Sequence, residues 1–246
     1  IIMKIGIISD IHSNSEAINC VLKTIEKVDE FICLGDIVGY GADPNYCIEK
    51  IKDLNCRCIG GNHDFAVVGK VNINYFNYAA RAAILWTSRQ LKKDNLNYLL
   101  SLNKKIELKN DVFAVHGSPQ NPLLEYILDK DTANLIFSKF NFKIYFVGHS
   151  HLAGCFSLDE NNNQIDYINY SNGGSIEISK NKRYIINCGS VGQPRDGNPK
   201  ASYGIYDLKY GIVKIYRVSY PIHLTQDKII NAGLPRSLAD RLSYGR

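Results

Sequence analysis

The sequence lacks any apolar run close to the roughly 20 residues that a membrane-spanning helix requires. It also lacks the basic, apolar and small-residue order of a secretory leader. Cysteine is sparse and odd in number, seven in 246 residues, and most of the thiols lie in apolar segments, as small buried hydrophobes do. These absences predict a cytoplasmic protein in a reducing compartment, with no membrane partner.

Long runs of one charge are missing as well. Lys and Arg number 29 against 24 Asp and Glu, a formal net charge of +5 that is spread along the chain. Such a mild excess is compatible with a phosphate-bearing substrate but does not indicate a nucleic-acid surface. Only Cys56 and Cys58 are closely spaced, and without a second pair they do not resemble a structural zinc site. The oligomeric state stays open.

The length and the 45% hydrophobic content suffice for one large α/β domain. We expect a single domain over residues 1–246, with a helical insertion at about 74–102. Over the first 150 residues, apolar runs alternate with helical periods, which is typical of βαβ units around a parallel core. The predicted strands are 3–9, 31–34, 57–59, 112–115 and 144–147, and the predicted helices are 15–28, 44–54, 75–91, 96–102 and 131–140.

After residue 150 the pattern changes to short strands separated by turn-rich stretches. Strands are predicted at 155–158, 164–169, 183–187, 203–208 and 212–217, followed by helical segments at 225–233 and 237–242. This run indicates a second sheet packed on the first.

Five of the six histidines occur in short polar motifs, each directly after an apolar run. The motifs are Asp10-Ile11-His12, Gly61-Asn62-His63-Asp64, Val115-His116-Gly117 and Gly148-His149-Ser150-His151, with Gly35-Asp36 between the first two. We therefore expect their side chains to emerge together at the same end of one sheet. Singly, each motif is weak, because a lone histidine is more often a core or surface group than a ligand. Together, in this order, they indicate a metal site.

The donor types predict which metals bind. If the extended backbone persists, Asp10 and His12 point the same way and bind one ion, and Asp36 places one oxygen on that ion and the other on a neighbour. A bridging carboxylate of this kind suits two ions about 3.5–4 Å apart. Mixed nitrogen and oxygen donors without thiolate favour manganese, iron, zinc, cobalt or nickel.

In this order, the five motifs resemble those of the calcineurin-like metallophosphoesterase superfamily, over residues 3–151. Residues 187–196 also resemble the bacterial and archaeal branch of small phosphoesterases, which includes the asymmetric diadenosine tetraphosphatases. The resemblance implies a four-layer αββα sandwich of two mixed sheets flanked by helices. It implies two divalent or trivalent transition metals, foremost manganese and iron. The implied ligands of the first metal are Asp10, His12, Asp36 and His151, and those of the second are Asp36, Asn62, His116 and His149.

The resemblance assigns His63 a catalytic role as the general acid that protonates the leaving oxygen, so that His63→Asn would keep both metals and lose turnover. Protein phosphatases of the superfamily carry Gly-Asp-X-X-Asp-Arg-Gly, whereas this chain reads Gly35-Asp36-Ile37-Val38-Gly39-Tyr40-Gly41. The missing aspartate and arginine leave open what orients His63 and make a phosphoprotein substrate less favoured.

Two further residues are candidates for binding substrate. Tyr40 stands where those enzymes have arginine, and it could stack a base or sugar or donate to a phosphate. Arg195 has the guanidinium geometry that suits phosphate, although Arg195 and Asp196 could instead form a surface turn pair.

The favoured function is hydrolysis of a small phosphate ester or anhydride, with a dinucleoside polyphosphate such as diadenosine tetraphosphate as substrate. A phosphodiester such as a cyclic nucleotide is second and a phosphoprotein third. A scaffold that has the fold without the chemistry is the alternative from another class.

Overall fold

The computed structural model describes residues 3–246, and it contains two six-stranded sheets with helices on their outer faces. The strands are β1 (Lys4–Ile8), β2 (Glu30–Cys33), β3 (Arg57–Cys58), β4 (Lys105–Glu107), β5 (Val112–Val115), β6 (Ile144–Val147), β7 (Gly154–Asp159), β8 (Gln164–Asn169), β9 (Gly174–Glu177), β10 (Lys182–Asn187), β11 (Ala201–Asp207) and β12 (Ile212–Val218). The α-helices are α1 (Ser15–Thr24), α2 (Pro44–Asp53), α3 (Asn62–Val67), α4 (Tyr78–Gln90), α5 (Lys93–Ser101), α6 (Lys130–Lys139), α7 (Ile222–Asn231) and α8 (Arg236–Asp240).

Both sheets are mixed. The first has the order β3-β2-β1-β11-β12-β9, in which β1, β2 and β3 are parallel and the other neighbours antiparallel. The second has the order β4-β5-β6-β10-β7-β8, in which β5, β6 and β10 are parallel.

The division of strands between the sheets differs from the expectation. We expected the strands after residue 150 to form the second sheet, but β9, β11 and β12 extend the first, and β5 and β6 belong to the second. The reason is that β1 has two hydrogen-bonding edges, one taken by β2 and the other by β11. Periodicity reports which face of a strand is buried but not which strand pairs with its edge.

The sheets pack face to face around an apolar core contributed by both, including Ile7 and Leu34 from the first sheet and Ile144 and Phe146 from the second. The outer face of the first sheet is covered by α1, α2, α4, α7 and α8, and that of the second by α6. These are the four layers of the predicted αββα sandwich, so the fold prediction is confirmed.

Helix α1 shows how the outer layer forms. The Asn14 side chain accepts a hydrogen bond from Ala17 N at 3.0 Å, which caps the first turn, and Ala17, Ile18 and Val21 are buried against the sheet. The helix ends at Thr24 rather than at the predicted residue 28, because Ile25 is extended and the chain turns back to begin β2.

The expected helical insertion contains a 3₁₀ turn, Ile73–Tyr75, followed by α4 and α5. Helix α4 begins later than predicted, after Asn77, whose side chain accepts from Ala80 N at 3.0 Å. Three short elements were not predicted, namely α3, β4 and β9, because three to six residues are too few to show a period. Over residues 3–246, no helix combines the length and apolarity needed to cross a bilayer.

The polar motifs follow the carboxyl ends of strands in both sheets. Asp10 and Asp36 follow β1 and β2, and Asn62 follows β3, all in the first sheet. His116 and His149 follow β5 and β6 in the second. The expectation that one sheet carries all five motifs is therefore wrong, since the packing of two sheets is what brings them together.

Candidate metal centre

The turns after β1 and β2 run side by side. Asp10 N donates to Gly35 O at 2.9 Å, and His12 N donates to Asp36 O at 3.0 Å. Asp10 and His12 have φ of 53° and 49°, so the extended backbone that we assumed for them ends at Ile8. The side chains of Asp10 and His12 still point toward each other, because the left-handed turn after β1 orients them, and not the alternation of side chains along a strand.

Four buried side chains form the first ligand cluster: Asp10, His12, Asp36 and His151. His151 Nε2 lies 3.3 Å from Asp10 Oδ1, and His12 Nε2 lies 3.6 Å from Asp36 Oδ2. The two imidazole Nε2 atoms are 3.1 Å apart. The donor atoms of all four residues lie within 4.8 Å of one another, which allows one ion to contact them all.

Asp36, His116 and His149 form the second cluster. His116 Nε2 lies 3.3 Å from Asp36 Oδ2 and 3.0 Å from Asn62 Oδ1. The side chain of Asn62 is thereby placed beside this cluster, as the resemblance implied for the second metal.

Asp36 belongs to both clusters through a single oxygen. Its Oδ2 faces His12 and His116, while its Oδ1 accepts a hydrogen bond from His63 N at 2.9 Å. We expected one carboxylate oxygen for each ion. In this structure Oδ2 faces both imidazoles, while Oδ1 accepts from the backbone amide of His63, so the oxygen that each ion would bind stays a prediction.

The histidine tautomers leave lone pairs directed into the centre. Nδ1 of His12, His116 and His151 each lies within hydrogen-bonding distance of a backbone carbonyl, which fixes Nδ1 as the donor and frees Nε2 as a ligand. The acceptors are Val38 O at 3.1 Å, Leu34 O at 2.8 Å and Gln193 O at 2.5 Å.

These lone pairs test whether the residues fit metal ions. With both Nε2 atoms unprotonated, His12 and His151 present two acceptors to each other at 3.1 Å, which a cation between them would satisfy. Asp10 Oδ2 and His149 Nε2 are buried and have no hydrogen-bond partner in the described chain. Unpaired buried acceptors are costly, so the donor set fits a pair of cations.

The electrostatics of the side chains agree with this. Burial would raise the pKa of Asp10, but the nearby His151 holds it below its ordinary value. Burial would lower the pKa of His116, but the Asp36 carboxylate raises it to about 9. The Asp36 carboxylate thus favours positive charge at this position, which a bound cation would supply.

Backbone strain is concentrated at the centre. Six non-glycine residues of the predicted site have φ between 49° and 63°, in the left-handed region that such residues rarely adopt. They are Asp10, His12, Asp36, Tyr40, His149 and His151.

Comparison with known proteins identifies the family. A profile of the calcineurin-like phosphoesterase superfamily domain matches residues 3–211. The chain belongs to the calcineurin-like phosphoesterase superfamily. It is a metallophosphoesterase, an enzyme that hydrolyses phosphoester bonds, and this superfamily implies a dimetal centre.

Three similar proteins cover nearly the whole of this phosphoesterase. The uncharacterized protein MJ0912 of Methanocaldococcus jannaschii is 44% identical over 98% of both chains. The crystal structure of a metallophosphoesterase from Sphaerobacter thermophilus is 41% identical, with full coverage of both chains and a TM-score of 0.86. The hypothetical protein PH1004 of Pyrococcus horikoshii, 22% identical over 99% and 98% of the chains with a TM-score of 0.80, shares the fold.

Residues 187–196 of the phosphoesterase form hydrogen bonds with the turn that carries Asp10. Gly192 N donates to Asp10 O at 2.9 Å, and Ser190 Oγ donates to the same oxygen at 2.8 Å. An added Cβ at Gly192 would lie 1.8 Å from Ile11 O, so only glycine allows this close approach. The segment that resembled small phosphoesterases therefore positions the Asp10 turn.

His63 lies in the first turn of α3, beside the phosphoesterase's ligand clusters. Its ring centroid lies 4.4 Å from that of Tyr40, 4.9 Å from that of Phe76 and 4.9 Å from that of His12. Its Nδ1 is buried without a hydrogen-bond partner in the described chain. Aromatic packing, not a carboxylate, thus fixes the ring in this structure. Burial lowers the pKa of His63 to about 4, with Asp36 opposing and Arg195 reinforcing that effect.

The adjacent Asp64 has a structural role. Its carboxylate accepts from Gly61 N at 3.0 Å and from Val38 N at 3.1 Å, which ties the turn after β2 to the start of α3. Burial, reinforced by Asp36, raises its pKa to about 7.

A cleft of about 360 Å³ opens onto the centre. Its polar lining residues are Tyr40, Asn62, His63, Asn77, His149, Arg195 and Arg241. Its apolar and aromatic lining residues are Tyr75, Phe76, Ala80, Leu124 and Tyr126. The volume lies in the range of small-molecule sites.

Both predicted substrate-binding residues lie in this cleft. Arg195 Nη2 donates to Tyr40 Oη at 3.1 Å and to Gln193 Oε1 at 2.9 Å. The alternative of an Arg195–Asp196 turn pair is wrong, because Asp196 instead pairs with the buried Arg217.

Tyr126 and Arg241 are among the cleft residues that were not predicted. The Tyr126 ring stacks on that of His149, with centroids 3.8 Å apart and planes 12° apart. Arg241 begins the 3₁₀ helix Arg241–Tyr244 near the end of the chain. Tyr126 lies in a loop without periodicity, and Arg241 lies in a terminal segment without a motif, so no sequence signal marked either one.

Proposed function

We propose that this metallophosphoesterase uses two metal ions to hydrolyse small phosphate esters or anhydrides, with a dinucleoside polyphosphate as the favoured substrate. The observation that carries the proposal is the position of Asp36 Oδ2, which lies 3.6 Å from His12 Nε2 and 3.3 Å from His116 Nε2. One carboxylate oxygen shared by two imidazole clusters suits a pair of closely spaced cations.

Each metal has a proposed ligand set. The first ion would be held by Asp10, His12, Asp36 and His151, and the second by Asp36, Asn62, His116 and His149. These oxygen and nitrogen donors suit manganese or iron foremost, and also zinc, cobalt or nickel. When bound, two such cations lower the pKa of a water and offset charge that accumulates on phosphorus.

His63 is the proposed general acid. It lines the cleft next to Asn62, within reach of a phosphate bound there. With a pKa near 4 the resting ring is neutral, so it becomes a proton donor when an anionic phosphate raises that pKa. The proton then passes from the ring to the departing oxygen.

The cleft supports a small substrate over the alternatives. Tyr40 and Arg195 offer a hydroxyl, a ring and a guanidinium for a phosphate or a base, and the aspartate and arginine of protein phosphatases are absent. A cyclic nucleotide or other small diester ranks second, and a phosphoprotein third. The convergence of the ligand side chains argues against a scaffold without chemistry.

Product analysis tests the proposal. The manganese-loaded protein is incubated with diadenosine tetraphosphate, a cyclic nucleotide and a phosphopeptide, and the products are separated by chromatography. We expect a mononucleotide and a nucleoside triphosphate from the tetraphosphate. Turnover of the phosphopeptide alone would contradict the substrate, and no turnover with any divalent ion would favour the scaffold.

A further inference from the structure

Arg241 enters the cleft from a part of the chain remote from the motifs. It begins the 3₁₀ helix Arg241–Tyr244 and lines the same cleft as Arg195. Burial lowers the pKa of Arg241, and the nearby Arg195 guanidinium lowers it further. Two like charges are therefore kept close together at the edge of the centre, an arrangement that an anion between them would relieve.

No carboxylate side chain neutralises these two arginines. Within residues 3–246, neither guanidinium has an Asp or Glu oxygen within 4.0 Å; Arg81 and Arg89 also lack one, whereas Arg57, Arg183, Arg217 and Arg236 each have one. Arg195 donates instead to the neutral acceptors Tyr40 and Gln193, and its buried Nε has no partner in that range. Arg241 Nε donates to Arg246 O, which in this chain is an α-carboxylate oxygen and offsets part of the Arg241 charge. Further N–H groups of both side chains are left for an oxyanion.

We propose that Arg195 and Arg241 form a second phosphate subsite, which binds the phosphate next to the one held at the metal ligands. The substrate class is then a compound with two or more linked phosphates, such as a nucleoside polyphosphate. The inference rests on the proposed function and narrows it.

Position and size support this subsite. The cleft is bounded by Asn62 and His149 at the metal ligands and also by the two arginines, so a chain of phosphates can span both. A single phosphate on the metals leaves one or both guanidiniums without an anion. A linked second phosphate accepts their charge-assisted hydrogen bonds, which are stronger than neutral ones. Aromatic residues that line the same cleft, Tyr75 and Phe76 among them, suit a base.

Calorimetric binding tests the subsite without requiring turnover. Dissociation constants of orthophosphate and inorganic pyrophosphate are measured on the manganese-loaded full chain, with free manganese held constant. We expect wild type to prefer pyrophosphate, and Arg241→Gln to reduce that preference by about tenfold or more, as loss of charged hydrogen bonds implies. Arg241→Lys keeps the positive charge but loses the planar guanidinium with its paired N–H donors, so it should lose less of the pyrophosphate preference than Arg241→Gln does.

Arg236→Gln is the matched control. It removes the same charge from the same terminal segment, but Arg236 is exposed and pairs only with Asp240 among the described residues. Its pyrophosphate preference should equal that of wild type. Any of three results would overturn the subsite: wild type binds pyrophosphate no more tightly than orthophosphate, Arg241→Gln keeps the pyrophosphate preference of wild type, or Arg236→Gln loses as much of that preference as Arg241→Gln does. If Arg241→Gln does not fold, an unchanged preference in Arg241→Lys overturns it. If the enzyme hydrolyses no phosphate compound, the proposed function is contradicted, and this outcome is distinct from a failure of the subsite.

Discussion

At the scale of residues, strain and hydrogen bonding together explain the centre. Asp10, Asp36 and His151 adopt left-handed φ values, each of which costs of order 1 kcal/mol or more for a non-glycine residue. Neighbouring backbone groups hold these turns in place, as when His149 N donates to Asp10 Oδ1 at 3.2 Å. These hydrogen bonds hold the side chains of the candidate ligands in the convergent arrangement seen here.

Replacing His63 tests its proposed role. We expect His63→Asn to retain two metals while kcat falls by about 10²- to 10⁴-fold, because the proton donor is lost but no ligand is. The control is His223→Asn, since His223 is exposed in α7. Normal turnover of the metal-loaded His63→Asn protein would refute the role.

Gly39 tests whether the position of the His63 ring matters. Its φ is +96°, and an added Cβ would lie 2.5 Å from His63 Nδ1. Gly39→Ala should displace the ring and lower kcat at least about tenfold, with metal content kept. Gly69→Ala is the matched control, because its φ is +78° but no heavy atom lies within 4 Å of the added Cβ. Equal kcat values for the two variants would argue against a positional requirement.

At the scale of elements, polar side chains of α7 join this helix to the start of the fold, and Lys228 makes the charged contacts. Lys228 Nζ lies 2.6 Å from Glu16 Oε1 and 2.7 Å from Asp43 Oδ2, and it donates to Ser15 Oγ at 2.9 Å. The same end of the chain carries Arg241, so this network positions the segment that completes the cleft.

The network predicts a pH-dependent stability. Burial would raise the pKa of Glu16, but the hydrogen bond and charge of Lys228 lower it below its ordinary value of 4.5. The pair therefore contributes fully to the free energy of unfolding above about pH 4.5, and this contribution is lost as the pH falls through the lowered pKa of Glu16. At pH 7, Lys228→Met should reduce that free energy by about 1 kcal/mol, since the ammonium is partly exposed and screened. Denaturant unfolding at several pH values measures the difference.

Lys23→Met is the control, since Lys23 is exposed in the last turn of α1 and makes no ion pair among residues 3–246. The gap between wild type and Lys228→Met should shrink below pH 4.5. A gap that is constant from pH 3 to 7 would contradict the electrostatic account.

At the scale of the whole molecule, the family resemblance implied the four layers, but the sequence pattern did not show how the strands divide between the two sheets. Burial and alternation are local properties, so β5 and β11 were recognised as strands. Their partners depend on which edges are free after the chain has packed, which is a global property. The short β4 and β9 exist because longer neighbours pair with them.

The same distinction applies to the site. The metal-ligand candidates carry short motifs after strands, so they were found before the structure, although the single-oxygen position of Asp36 depended on an amide of α3. Tyr126 and Arg241 reach the cleft through tertiary packing alone, and local patterns do not report that.

The most direct test of the central claim is the number of manganese ions bound per chain, measured by titration calorimetry on wild type and Asp36→Asn. Because Asp36 Oδ2 faces both imidazole clusters, we expect two ions in wild type and fewer than two in the variant. A single ion in wild type, or two ions retained with unchanged affinity in Asp36→Asn, would contradict a centre bridged by this carboxylate.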